Sequence, residues 1–131
     1  MTETGAWMDF LIVFAGGGIG AALRHGVNLA SARVLGGGFP FATLLENVTG
    51  SMLMGLLAGY FAFRHGLPQH WRLFLATGIL GGYTTFSAFS LDAVLLYERG
   101  EIALAAFYIL LSVALSLGGL FVGLALVRQF T

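Results

Sequence analysis

Thr77-Gly78-Ile79-Leu80-Gly81-Gly82-Tyr83-Thr84-Thr85-Phe86-Ser87-Ala88-Phe89-Ser90 packs three glycines, five Ser/Thr hydroxyls and two phenylalanines into the middle of a long apolar segment. Glycine removes the steric penalty for leaving helical backbone angles, and Ser and Thr can re-satisfy the amides and carbonyls that a broken helix frees. The stretch therefore predicts a helix interrupted at bilayer depth. Unwound backbone there is tolerated only where protein buries it or a polar cavity meets it, and inward-facing carbonyls can coordinate a cation. A Gly/Ser kink that serves packing alone is the plainer alternative.

The rest of the chain agrees with a membrane setting. Hydrophobic residues make up 58% and charged residues 9% of 131 residues, with a mean hydropathy of +0.91, where a soluble domain carries about a quarter charged residues. One membrane span takes about 20 apolar residues, so the chain divides into four helices with little left over. The pattern predicts an all-α membrane protein and a single unit over residues 1–131. Its spans are expected at Trp7 to Leu23, Phe41 to Phe63, Leu73 to Tyr97 and Ile102 to Val127. The expected links are Ser31 to Pro40 with its triple glycine, Arg64 to His70 with Pro68, and the tight Glu98-Arg99-Gly100-Glu101 turn.

Met1 to Asp9 holds Glu3 and Asp9 but neither Lys nor Arg, so the start lacks the basic flank of a secretory signal, and the first helix is expected to stay. The absence of cysteine excludes disulfides, thiolate metal sites and thiol nucleophiles. Zero net charge without a basic patch argues against nucleic acid as a partner. His25, His65 and His70 lie near helix ends with no spacing that suggests a metal site or a nucleophile and base, so an enzyme is not expected.

If four helices alternate, Arg64, Arg72 and Arg128 share the N-terminal side while Arg24, Arg33 and Arg99 lie opposite. Orientation follows an excess of Lys/Arg on cytoplasmic segments, and an even split provides none. This is the pattern of a dual-topology protein that pairs antiparallel; a weakly biased protein oriented by its first helix is the alternative. Gly16/Gly20, Ser51/Gly55/Gly59, Ser112/Ser116 and Gly119/Gly123 offer small-xxx-small surfaces, read here as the assembly surface, with intrachain packing as the other use.

Thr43, Asn47, Gly50, Ser51 and Met54 fall on one face of the second helix, and Tyr108, Ser112 and Ser116 form a polar stripe on the fourth. An asparagine in hydrocarbon is costly unless it finds partners, and its amide, like the hydroxyls, can donate to an anion. Phe86 and Phe89 stand one turn apart just after the predicted break. Core packing is the common role of such a pair. The electropositive edge of a phenyl ring can also attract a small desolvated anion, and rings alternating with weak donors would let it both enter and leave.

With these residues in place, the chain resembles the Fluc/CrcB family of bacterial fluoride channels over all four helices. The resemblance is carried by Gly16-Gly17-Gly18-Ile19-Gly20-Ala21-Ala22-Leu23-Arg24, by Thr43-Leu44 with Asn47 and Gly50-Ser51, and above all by Thr77-Gly78 through Ser90. It implies a passive fluoride-selective channel of the inner membrane, an antiparallel dual-topology homodimer with two pores at its interface, and a structural sodium ion at its centre. By motif position it makes Phe86 and Phe89 the pore phenylalanines and Asn47 the pore asparagine. Thr43, Tyr108 and Ser112 become polar track residues, Arg24 a vestibule residue, and Gly81 and Thr84 the donors of sodium-binding carbonyls.

Glu46 departs from the family pattern, which has an aliphatic residue there. A carboxylate there should be near a vestibule, paired with an arginine, or protonated; five residues into its span, it is expected at an entrance, snorkelling toward water, with tuning or impairment of anion entry as the sharper readings. The rival function is a proton-coupled exporter of small cationic drugs, for which Glu46 would be the ionisable carboxylate, but the first helix has no acid beyond Asp9. A non-transporting membrane subunit would leave the polar stripes unexplained.

Overall fold

The structure is a computed structural model that describes residues 3–63 and 68–130. Arg64 and His65, which belong to the expected second link, lie outside the described residues. Among the described residues, four stretches are long and apolar enough to cross a membrane: Gly5–Leu35, Phe41–Phe63, Gln69–Glu98 and Ile102–Gln129.

The first helix, α1 (Glu3–Leu35), runs well past the expected end at Leu23. Residues 24–35 contain no proline and one glycine, so nothing stops the helix until Gly36, whose φ of +76° is the left-handed conformation that glycine supplies at a helix C-terminus. Arg33 in the last turn complements the carbonyl end. At 1.5 Å per residue its 33 residues reach about 50 Å, beyond a hydrocarbon core of about 30 Å. The first link thus shrinks to Gly36–Pro40. Helix α2 (Phe41–Phe63) has the predicted bounds.

The third span is broken where the glycine and hydroxyl content predicts, in more pieces than expected. It consists of α3 (Gln69–Arg72), a π-helical segment (Leu73–Leu80), α4 (Gly81–Tyr83), an extended break at Thr84 and Thr85, and α5 (Phe86–Glu98). Thr84 (φ −85°, ψ 155°) and Thr85 (φ −152°, ψ 120°) carry β-type backbone. The turn after α5 closes as a Schellman motif. Glu101 N–H donates to Leu96 O, Gly100 N–H donates to Tyr97 O, each at 3.0 Å, and Gly100 has φ +83°. Helix α6 (Ile102–Gln129) follows.

Helix α1 packs along the π-helical segment and α4, and α2 packs along α6. Glycine makes both seams possible. A Cβ on Gly16 would stand 2.6 Å from Phe74 O, and one on Gly20 would run into Ile79 O. In the second seam Gly55 faces Leu120 and Gly123 faces Met52. The glycine pairs Gly16/Gly20, Gly55/Gly59 and Gly119/Gly123 are thus consumed within the chain, which corrects their reading as an assembly surface. Backbone-to-backbone approach is what glycine offers, and helices of one chain use it first. At the N-terminal end of α1, His70 Nε2 stands 3.6 Å from Asp9 Oδ1, so the third span starts beside the start of α1.

Candidate functional site

An asparagine in a membrane helix must find partners, and the partner of Asn47 is the break. Its Nδ2 donates to Thr85 O at 3.0 Å and its Oδ1 accepts from Thr85 N–H at 2.8 Å. The side chain acts like one rung of a β-ladder, satisfying backbone that the broken helix cannot. One amide N–H of Asn47 is used in this clamp, and an amide has two.

The clamp has a second effect. In a continuous α-helix the Thr85 amide would close a turn on Gly81 O, and the Ala88 amide a turn on Thr84 O. The first is held by Asn47, and the second donates to Thr85 Oγ1 at 3.1 Å as Thr85 caps α5. Gly81 and Thr84 therefore both lose their α-helical donors. The neighbouring Gly82 O is taken by Arg24 Nε at 3.1 Å, while the Thr84 N–H and Oγ1 both bond Leu80 O, at 3.0 and 2.9 Å.

Beside the break lies a groove of about 320 Å³, lined by Asn47 and Ser51 from α2, Thr84 and Thr85, Phe86 and Phe89 from α5, and Ser112, Val113, Ser116 and Leu117 from α6. The Phe86 and Phe89 ring centroids are 5.6 Å apart with planes inclined by 48°. Phe86 is 79% exposed at the groove rim. Ser112 is buried, and its Oγ has no hydrogen-bond partner among the described residues. The spacing of the sequence thus assembles hydroxyls, an amide and two phenyl rings in one place.

A second cavity, about 260 Å³, opens near Gly36, between the far end of α1, the start of α2 and the end of α5. Asn28, Ser31, Thr43, Asp92 and Arg99 line it. Between the two spaces Tyr108 is wholly buried. Its hydroxyl donates to Asp92 Oδ2 at 3.0 Å, and its ring lies 5.4 Å from Phe89 and 5.6 Å edge-on from Phe39.

The expected site residues therefore divide. Asn47, Phe86, Phe89 and Ser112 come together at the groove with Thr84, Thr43 belongs to the second cavity, and Tyr108 stands between. Arg24 is not near a helix end, because α1 continues to Leu35, and its guanidinium reaches the break rather than a cavity mouth. Glu46 does not snorkel. It is 1% exposed, because it lies on the α2 face with Thr43 and Gly50 that turns into the chain. Sequence reasoning missed the partner of Asn47 and the role of Asp92 as acceptor for Tyr108. The cost of a lone amide signalled the first, and nothing local signalled the second.

Residues 11–124 match the family model described as CrcB-like protein, Camphor Resistance (CrcB). The chain is 64% identical over 124 residues to a protein of Rhodopseudomonas palustris (strain BisB5) named fluoride-specific ion channel FluC, covering 95% of this chain and 100% of that relative. It is similarly 64% identical over 124 residues to fluoride-specific ion channel FluC 2 of Nitrobacter hamburgensis, with 95% and 100% covered. A FluC of Methylobacterium nodulans is 61% identical over 123 residues, 94% of this chain and 98% of its own.

Proposed function

The chain belongs to the CrcB-like family, and from that premise we propose that it is a passive, fluoride-selective channel, a multi-pass protein of the inner membrane. The observation that carries the reading is the groove, where the Asn47 amide, the Ser112 hydroxyl and the Phe86 and Phe89 rings converge beside a broken helix. Weak donors and ring edges offer a small anion partial positive charge that holds it without trapping it. Hydrogen fluoride crosses a membrane neutral and ionises inside. An inside-negative potential favours exit of the anion by about 2.3 kcal/mol per 100 mV, so a pore alone suffices and no catalytic step is needed.

The groove is open along one side, and Phe86 at its rim is exposed. An antiparallel second copy covers it and turns two open grooves into two pores. The even charge split supports that pairing: Arg33 and Arg99 stand at one end of the chain, Arg72 and Arg128 at the other. With few charges to choose between them, both orientations are made.

The carbonyls of Gly81 and Thr84, stripped of their α-helical donors, suit a hard cation that prefers oxygen. A sodium ion there would neutralise converging carbonyl dipoles, and the same pair from the second copy would extend the oxygen shell. Tyr108, Thr43 and Ser112 continue the polar route, and Arg24 and Glu46 hold the charge beside it.

Purified protein in potassium-fluoride-loaded liposomes tests the reading. Once valinomycin is added, fluoride should leave far faster than from protein-free vesicles, and chloride should stay. Efflux no faster than from protein-free vesicles defeats it. A C-terminal tag should be reached from both sides of the membrane in intact cells; a tag seen only from the cytoplasm rejects the dual orientation.

A further inference from the structure

Along α2, Thr43 lines the second cavity and Asn47 lines the groove, while Glu46 between them lines neither. Tyr108 holds a comparable place on α6, bonded to the cavity residue Asp92 and stacked near the groove residue Phe89. Glu46 and Tyr108 are the two largest side chains with essentially no exposure. Both therefore stand among residues of the two spaces without lining either. There the Glu46 Oε1 is buried with no hydrogen-bond partner among the described residues, so this oxygen ties no helix to another. A buried polar atom left without a partner costs about 1–3 kcal/mol, which an aliphatic residue would avoid. Packing alone gives no reason for a carboxylate here.

The charged groups within electrostatic reach of Glu46 are Arg24 on α1 and Asp92 on α5. Arg24 is committed through Nε to Gly82 O, and Asp92 adds a second negative charge. With Glu46 ionised, an anion moving between cavity and groove would pass two carboxylates and one guanidinium.

We propose that Glu46 sets the height of the barrier between the cavity and the groove, so that its carboxylate, when ionised, limits the fluoride flux of this chain. The inference rests on the channel reading. It names this residue as a determinant of rate, acting through its field and not through contact with the pore asparagine. Because the carboxylate is buried, mobile salt screens it much less than a charge at an aqueous mouth, so its effect depends only weakly on ionic strength.

The test compares the parent with Glu46→Gln, Glu46→Leu and Glu46→Asp, each purified, checked for a monodisperse folded state, and assayed for fluoride efflux at low and high concentrations of an impermeant salt. Removing one unit charge near an ion path, partly offset by Arg24, should raise the initial rate by about three- to tenfold in the Gln and Leu variants. The gain should be similar at both salt concentrations, and Glu46→Asp, which keeps the charge, should fall short of both. A folded Gln variant at the parent rate or slower overturns the proposal. A gain that disappears in high salt overturns it too, since it moves the charge to the aqueous mouth. If neither neutral variant folds, Glu46 is structural and the proposal fails. A parent no faster than protein-free vesicles fails the channel reading itself, an outcome visible before any variant is made.

Discussion

The two halves of the third span are built by opposite means. Its first half, from Gln69 to Tyr83, lies against α1 with backbone touching backbone: Gly16 and Gly20 admit Phe74 O and Ile79 O, and Gly82 meets Gly17 O. Its second half, α5, buries only Ala93 and Leu96 and leaves Phe86 and Leu91 exposed. Between them the break is held by the Asn47 clamp and the Thr85 cap. One half is an anchor that fixes where the break lies. The other is a presenting arm that carries phenyl rings to an open groove. Division of labour within one span explains how so short a chain holds unwound backbone in a membrane without losing its fold.

Substitutions at the anchor, the presenting arm and the hinge test this contrast. The largest effect should fall on the anchor. Gly20→Leu drives a side chain into the Ile79 carbonyl, an overpacking of backbone against backbone that should cost about 3 kcal/mol or more and abolish monodisperse protein. Gly18→Leu, on the open side of the same helix with nothing within 4 Å of its added Cβ, should purify normally. Equal yields would show that the glycine seam does not anchor the span. On the presenting arm, Phe86→Ile and Phe89→Ile should leave the fold intact and reduce fluoride flux by about tenfold, the loss of about 1.4 kcal/mol of ring-edge attraction. Parent-rate flux in both folded variants would return the pair to packing. The smallest change belongs to the hinge itself. Thr85→Val removes the Oγ1 that caps α5 and should lower stability by about 1 kcal/mol, read as a lower midpoint in thermal unfolding. An unchanged midpoint would mean that the break is held by Asn47 alone.

How much of this was legible beforehand depends on the range over which each residue acts. Glycines and hydroxyls at residues 77–90 dictate local backbone freedom, so the break at Thr84 and Thr85 could be placed from the sequence. The spacing of Asn47 and Ser51 on α2 and of Ser112 and Ser116 on α6 fixes which side chains share a face, so part of the groove lining was legible too, although Thr43 and Tyr108 on those faces lie outside it. The length of α1 was misread because apolarity marks the span and not the helix, and a polar but helix-compatible run carried it on to Gly36. Glu46 was misread because depth along a helix was taken for distance from water, whereas its burial depends on which face of α2 turns inward.

Composition and periodicity by themselves determined four membrane helices, an interruption in the third and the set of polar and phenyl residues beside it. These follow from short-range backbone sterics and from the cost of leaving polar groups in hydrocarbon. Only the tertiary structure decided that Asn47 bonds the Thr85 backbone, that the glycines are consumed inside the chain, and that Glu46 is buried. Each of these depends on which helix faces which across long stretches of sequence, as where Gly123 meets Met52. The local pattern specifies a face but not the neighbour that it meets.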